Sequence, residues 1–208
     1  GCDANDSVRI QNTQLTVEAG KDGIHCENDD PELGFIFAAD CTMTINAQGD
    51  GLSAGRDLQI ESGSYHITTG GGSENGTKDH SDQWGGFPGG GMGGRPVRPR
   101  ATDEETTQDT DSTSIKGLKA ATALTLLDGS FTLNTADDSI HGETVAIHGG
   151  SYQIKSGDDG IHADQNLTVT GCTMTVSESY EALEGLHIDI SGGKLELTAT
   201  DDGINAAG

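Results

Sequence analysis

A short pattern of acids, a glycine and an aliphatic residue recurs along the chain. It is clearest at residues 157–164, GDDGIHAD, with related copies at 20–27, 136–143 and 201–207. Aligned on the aliphatic residue, the later copies are 21 or 22 residues apart, whereas one early step takes 28 residues and another takes 66. A period this short predicts coils that stack on one another.

Each repeat contains three short runs in which apolar residues stand two apart, as in GIHAD, NLTVTG and CTMTVS. That alternation is typical of a strand with one buried face. No segment keeps a helical period, and glycine punctuates every turn. Three strands in each coil of 21–22 residues predict an all-β fold, a single-stranded parallel β-helix with a three-sided section.

Residues 70–113 interrupt the repeat. They are rich in glycine and polar side chains and cannot bury a core of their own. We therefore expect a single domain over residues 1–208, with 70–113 inserted between coils as one long Gly-rich loop. A linker without fixed structure is the alternative. If the loop is ordered, Trp84 or Phe87 should dock on the solenoid.

Acidic residues fall in register just before the glycine of each repeat. Equivalent residues of adjacent coils lie about 4.8 Å apart, so carboxylates at one position should repel by about 1–3 kcal/mol per contact. We name two columns: the inner column is Asp138, Asp159, Glu181 and Asp202, and the outer column is Asp137, Asp158, Tyr180 and Asp201. Backbone N–H groups, protons or a cation must offset the repulsion.

Two explanations for the columns stay open at this stage. Aspartate before glycine commonly caps its own turn through backbone N–H groups. Calcium is the other, because it takes six to eight oxygens and tolerates irregular geometry, whereas zinc would prefer the histidines. The predicted cofactor is Ca²⁺, with the ligands Asp137, Asp138, Asp158, Asp159, Glu181, Asp201 and Asp202.

A third column, three residues after the inner acids, contains His25, His141, His162 and Glu184. These side chains should point outward, and an ordinary solvated face is the simpler interpretation. The alternative is a strip that binds successive sugar hydroxyls, beside which an aromatic ring could stack on a pyranose. The predicted carbohydrate contacts are His141, His162, Tyr180, Glu184 and Trp84.

The charge balance limits the partners of the chain. A formal net charge of −23 disfavours nucleic acid and anionic lipid, and no apolar run is long enough for membrane insertion. No signal peptide is recognisable. The repeat alignment places Cys2 and Cys26 out of register and separates Cys41 from Cys172 by four coils, so we expect free thiols.

Several stretches together resemble a known family: DDGIHAD, YEALEG, GLHIDISGG, SIKGLKAA and SGGKLELTATDDGINA. They are similar to secreted carbohydrate-binding domain proteins of anaerobic Firmicutes, over nearly the whole chain. The resemblance implies a right-handed parallel β-helix like that of pectate lyases, with calcium along the helix and plant polysaccharide as ligand. The calcium role would fall on Asp138, Asp159, Glu181 and Asp202. The chain departs from the pattern at Ser139 and Lys116.

The function expected from the sequence is a calcium-dependent carbohydrate-binding module, secreted or on the cell surface. Its ligand would be a polysaccharide, acidic and pectin-like or cellulosic. A polysaccharide lyase is the first alternative, with Lys116 or Lys119 as the base, although we expect no catalytic residues. The second is a structural adhesin or fibre unit that self-associates through open β-helix ends.

Overall fold

The computed structural model describes residues 1–76 and 114–206. Those residues form 17 strands, one 3₁₀ turn at Ser73–Asn75 and no α-helix, so they contain no helix that could span a membrane. The strands are β1 (Cys2–Ala4), β2 (Ser7–Gln11), β3 (Gln14–Ala19), β4 (Ile24–Cys26), β5 (Phe35–Ala39), β6 (Cys41–Ala47), β7 (Leu52–Ala54), β8 (Leu58–Ile60), β9 (Gly63–Thr69), β10 (Leu118–Leu126), β11 (Ser130–Thr135), β12 (Ile140–Ile147), β13 (Ser151–Ser156), β14 (Ile161–Val169), β15 (Thr173–Glu178), β16 (Leu183–Ile190) and β17 (Lys194–Leu197).

Every strand pairs in parallel with a strand of the coil before or after it. The first sheet runs in the order β1-β4-β7-β10-β12-β14-β16, and β2, β5 and β8 join it through β10. The second sheet runs β3-β6-β9-β11-β13-β15-β17. Parallel strands stacked in chain order confirm the predicted parallel β-helix.

The register agrees with the alignment made on the sequence. The aliphatic anchors pair one to the next, including the step across the insertion, where Leu52 lies opposite Leu118. The other pairs are Cys2 with Ile24, Ile24 with Leu52, Leu118 with Ile140, Ile140 with Ile161, and Ile161 with Leu183. Because register fixes which face each side chain occupies, the acid columns follow from these pairs.

Two features differ from a regular three-stranded coil. In β10, β12, β14 and β16 the first and second runs form one strand, which changes register at an irregularity such as the one between Ala120 and Ala123. A bulge of this kind bends a strand without ending it. The sequence pattern also missed β5, because the consecutive apolar residues of FIFAA hide their alternation. Ile36 and Ala38 provide its inward side chains.

Aliphatic columns and one aromatic stack fill the core. Tyr65, Phe131 and Tyr152 are buried and stack face to face, with ring centroids 5.0 and 4.8 Å apart. Each fully buried large side chain of this kind stabilises the fold by about 1.5–3 kcal/mol. All four cysteines are free, as predicted, and only Cys2 is exposed.

The beginning of the predicted insertion packs on the solenoid. The Gly70 N–H donates to Ala47 O at 2.9 Å, and the Ser73 N–H donates to Asn134 Oδ1 at 2.8 Å. Gly70 has a φ of 58°, which lets the chain turn away from β9 at that point. Residues 77–113, including Trp84 and Phe87, lie outside the described part of the chain.

Candidate functional site

The acid columns lie in the turns that lead into the first sheet. Each turn ends where β12, β14 or β16 begins, so the inner acids stack beside one edge of these strands. Asp138, Asp159 and Glu181 are at most 5% exposed, whereas Asp202 is exposed. The predicted inner column is therefore present, and most of it is buried.

Backbone capping satisfies one oxygen of most acids along this stack. A carboxylate Oδ1 accepts the backbone N–H of the equivalent residue one coil further on. The pairs are Asp22 with Asp50 at 2.8 Å, Asp50 with Lys116 at 2.7 Å, Asp138 with Asp159 at 3.3 Å and Asp159 with Glu181 at 3.1 Å. Capping explains why aspartate precedes glycine in these turns. It uses only one oxygen of each carboxylate, so the second oxygen needs another partner.

Lys116 provides a cation at one end of the columns. Its Nζ donates to Asp138 Oδ2 at 2.6 Å and to Asp137 Oδ2 at 3.1 Å, and its side chain is only 12% exposed. Asp137, Asp138 and Asp158 also bring one oxygen each to within 4.8 Å of one another, an arrangement of oxygens that suits a hard cation. The ammonium group of Lys116 already neutralises much of this end.

Glu181 has a different environment at the other end. Its Oε1 accepts a hydrogen bond from Asn205 Nδ2 at 2.7 Å, but its buried Oε2 has no hydrogen-bond partner among the described residues. Burial raises the pKa of Glu181, and the charges of Asp159, Asp201 and Asp202 raise it further. A buried carboxylate oxygen without a partner is costly, and a bound cation would remove that cost.

The histidines turn toward the acids instead of simply facing solvent. His141 Nδ1 lies 3.1 Å from Asp138 Oδ2, and its ring meets that of His162 edge-on, with the centroids 4.9 Å apart. His162 Nδ1 lies 3.5 Å from Asp159 Oδ2 and 3.3 Å from Glu184 Oε2. The sequence predicted the column of histidines but gave no indication of this inward tilt.

These contacts change the proton equilibria. The hydrogen bond to Asp159, assisted by the charges of Asp138 and Glu184, raises the pKa of His162 to about 9. Burial is the main cause that raises the pKa of Glu184 to about 7, and its hydrogen bond to Asp159 adds to the effect. Both shifts favour the protonated forms of His162 and Glu184.

The outward strip predicted on the first sheet is continuous in register. Its members, one per coil, are Asp3, His25, Ser53, Lys119, His141, His162, Glu184 and Asn205. Of the predicted sugar contacts, the structure brings His141, His162 and Glu184 together on this strip.

Tyr180 lies apart from the strip, in the outer column. Its N–H donates to Asp158 O at 2.7 Å and its carbonyl accepts the Asp201 N–H at 3.0 Å. A side-chain hydrogen bond with Asp201 raises the pKa of Tyr180. The phenol group of Tyr180 thus lies beside the acids of the outer column.

The lysines proposed for lyase chemistry are already engaged. Lys116 donates to two carboxylates, as described above. Lys119 Nζ lies 3.2 Å from Ser114 Oγ and 3.5 Å from Asp50 Oδ2. A general base needs a free lone pair directed at the substrate proton, and an ammonium group held by acceptors does not offer one.

Fold and site together define a class of protein: an acidic parallel β-helix with a polar strip along one sheet and buried carboxylates beside it. The chain belongs to the family described as carbohydrate-binding domain-containing protein, which it matches over residues 1–160. No curated protein and no solved structure matches the chain. The matched range includes the Lys116 end of the columns and stops before Glu181.

Proposed function

We propose that this carbohydrate-binding chain recognises an acidic, pectin-like polysaccharide outside the cell, and that calcium supports the binding. Family membership supports a polysaccharide partner. A net charge of −23 would repel a polyuronate unless a cation stood between them. Sites in extracellular modules commonly bind calcium at 10⁻⁴–10⁻³ M, a range that suits a secreted or surface protein.

The observation that carries the calcium proposal is the buried Glu181 Oε2, which lacks a hydrogen-bond partner within the described residues. Of the seven predicted ligands, Asp137 and Asp138 already bind the Lys116 ammonium group. The ion is therefore proposed at the opposite end, where the acidic neighbours of Glu181 are Asp159, Asp201 and Asp202. Carboxylates at this end, completed by water, match the oxygen donors that calcium takes.

The sugar chain is proposed to run along the outward strip toward this ion. His141, His162 and Glu184 would bond its hydroxyl groups, and a uronate carboxylate would reach the calcium. Tyr180, beside the same acids, would pack against a pyranose face. Trp84 stays a prediction, because it lies outside the described residues.

The binding proposal is tested with labelled oligogalacturonate and a neutral cello-oligosaccharide of equal length. We expect saturable binding of the acidic oligomer in calcium, and at least a hundredfold loss of affinity in EDTA. Glu181→Gln should lose the calcium effect, whereas Glu178→Gln, an exposed acid at the end of β15, should keep it. The proposal is contradicted if EDTA does not change the affinity for the acidic oligomer, or if the chain binds the neutral oligomer more tightly.

The two alternative functions have their own measurements. A lyase would generate unsaturated uronates, whose absorbance grows steadily with time; we expect no such growth, given the engaged lysines. Self-association through strand edges stays a prediction, and it would appear as a particle size that increases with protein concentration.

A further inference from the structure

Three side chains of adjacent coils direct ligand atoms at one point on the strip. They are Asp159, His162 and Glu184, and their nearest carboxylate and imidazole atoms all lie within 4.8 Å of one another. His162 Nδ1 is the centre of the group, 3.3 Å from Glu184 Oε2 and 3.5 Å from Asp159 Oδ2. Asp159 uses its other oxygen, Oδ1, to cap the next coil, so Oδ2 faces the imidazole.

The spacing and the donor types both match a first-row transition ion. A tetrahedral zinc site with bonds of 2.0–2.1 Å places its ligand atoms about 3.3–3.4 Å apart, close to the separations measured from His162 Nδ1. One imidazole and two carboxylates form a mixed nitrogen and oxygen set, which zinc and its neighbours accept. Calcium takes oxygen ligands and gains little from an imidazole.

A fourth residue supports the imidazole from behind. Asp164 Oδ1 lies 3.5 Å from His162 Nε2, on the side of the ring opposite to Nδ1. Metal-binding histidines commonly donate their second N–H to a carboxylate, which fixes the ring and strengthens the ligand nitrogen. Asp164 Oδ1 also lies 3.9 Å from His141 Nε2, so it faces both rings, and it can hold the His162 ring with Nδ1 directed at Asp159 and Glu184.

No lysine or arginine in the described residues forms an ion pair with Glu184 or Asp159, in contrast to Asp138 and its Lys116 partner. His162 and Glu184 are 28% and 25% exposed, so an ion could enter from the strip. Three protein ligands would leave a fourth position open to water or to a sugar oxygen.

We propose that Asp159, His162 and Glu184 form a binding site for a zinc-class transition ion, with Asp164 orienting His162. Asp159 is also a neighbour of the calcium proposed near Glu181, but its Oδ2 faces His162, whereas its Oδ1 accepts the Glu181 N–H. It would give the strip a metal centre at the level of β14 and β16, where an incoming polysaccharide could bind the open position.

The site is tested by adding Co²⁺ to the chain after it has been stripped of metal and then saturated with calcium. A solution near pH 8 assists the loss of the imidazole proton that binding requires. We expect a visible absorption band that saturates at one Co²⁺ per chain and is abolished by excess Zn²⁺. The proposal is overturned if Co²⁺ produces no saturable absorption band, or if added calcium displaces the Co²⁺ and removes the band.

Two ligand variants, one variant of the orienting residue and one control test the site. His162→Gln should abolish the band, and Glu184→Gln should weaken Co²⁺ binding at least tenfold. Asp164→Asn should weaken it about 10–100-fold through the orientation of the ring. His187→Gln, an exposed histidine on β16, is the matched control and should not change it. An unchanged band in His162→Gln would overturn the proposal, and if that variant fails to fold, the Glu184 and Asp164 variants decide.

Different measurements test the calcium site near Glu181 and the transition-metal site at His162. Oligogalacturonate binding in calcium reports on the Glu181 end, and Co²⁺ absorption reports on His162. If oligogalacturonate binding fails while the Co²⁺ band is present, the proposed function is wrong and the transition-metal site stands.

Discussion

The two ends of the acid columns are built from the same turn yet are neutralised differently. At one end the ammonium group of Lys116 lies 2.6 Å from Asp138 Oδ2 and 3.1 Å from Asp137 Oδ2. At the other end, two coils beyond Asp138, Glu181 is equally buried but its Oε2 meets no hydrogen-bond donor in the part of the chain that the structure describes. A repeated acid thus carries an internal cation in one coil and lacks one in another.

This difference indicates what a repeat can and cannot specify. Stacking forces like charges into one column. The repulsion between them must then be offset in each coil by the residues of that coil. Lys116 supplies an internal cation at one end. The end at Glu181 is the one where an added ion would gain most, because no lysine or arginine of the described coils pairs with that carboxylate.

The largest effect is expected from removing the internal cation. Lys116→Met leaves Asp138 buried without its ammonium partner, so the free energy of unfolding in EDTA should fall by about 3–5 kcal/mol. Calcium should restore part of the loss, because the variant would then resemble the Glu181 end. Chemical denaturation with and without calcium measures both. Lys155→Met, which alters an exposed lysine of β13, should change stability by less than about 0.5 kcal/mol. Equal losses in the two variants would remove the special role of Lys116.

The next effect concerns the end without a lysine. Calcium at a hundredfold excess over its dissociation constant should stabilise the native chain by about 2.7 kcal/mol relative to EDTA. Glu181→Gln should remove this gain and leave stability in EDTA unchanged or higher, since a buried charge has been removed. Thermal melts in the two solutions provide the measurement. A calcium gain that survives in Glu181→Gln would place the ion elsewhere.

A smaller effect is expected from pH in the metal-free chain. Because the pKa of His162 is raised to about 9 in the fold, the folded chain binds that proton more tightly than the unfolded chain does. Its contribution is complete below about pH 6.5 and is lost as the pH rises through about 9. Glu184, with its pKa raised to about 7, acts in the same direction between about pH 4.5 and 7.

The chain in EDTA should therefore be more stable at pH 6 than at pH 9.5. We expect the His162 part to be on the order of 1 kcal/mol, because solvent reaches the ring and screens its ion pairs. His162→Gln should flatten the profile in this range, whereas His187→Gln should not. If the native chain were more stable at pH 9.5 than at pH 6, the raised pKa values of His162 and Glu184 would be contradicted.

The smallest effect is expected from the aromatic ring beside the acids. Tyr180→Ala should weaken oligogalacturonate binding in calcium by about two- to tenfold, through loss of stacking on the sugar. Tyr180→Phe keeps the ring and should stay within about twofold of the native chain. If both variants bind equally well, the ring does not contact the sugar.

Most of the fold could be predicted from the sequence. The period of 21–22 residues and the alternation within it gave the strands and the correct register, even across the insertion between Leu52 and Leu118. The missed strand β5 shows the limit, because consecutive apolar residues carry no period of two. The joining of two runs into one strand in β10 was also missed, since it depends on how a bulge keeps its hydrogen bonds.

The site was predictable in its columns but not in its contacts. Register alone brought Asp138, Asp159 and Glu181 together, whereas the choice of Lys116 Nζ as partner depends on side-chain reach across a coil. A lone basic residue in a column of acids was the available signal for that contact. The tilt of His162 toward Asp159 and Glu184 had no such signal, because it depends on the direction that a side chain takes and not on register.

The number of calcium ions bound per chain is the sharpest test of an ion beside Glu181. Equilibrium dialysis of the native chain, Glu181→Gln and Lys116→Asp against calcium, followed by metal analysis, counts the bound ions. We expect saturable binding in the native chain, one ion fewer in Glu181→Gln and one more in Lys116→Asp, where an acid replaces the internal cation. A native chain without saturable binding, or equal counts in all three, would contradict the calcium site near Glu181.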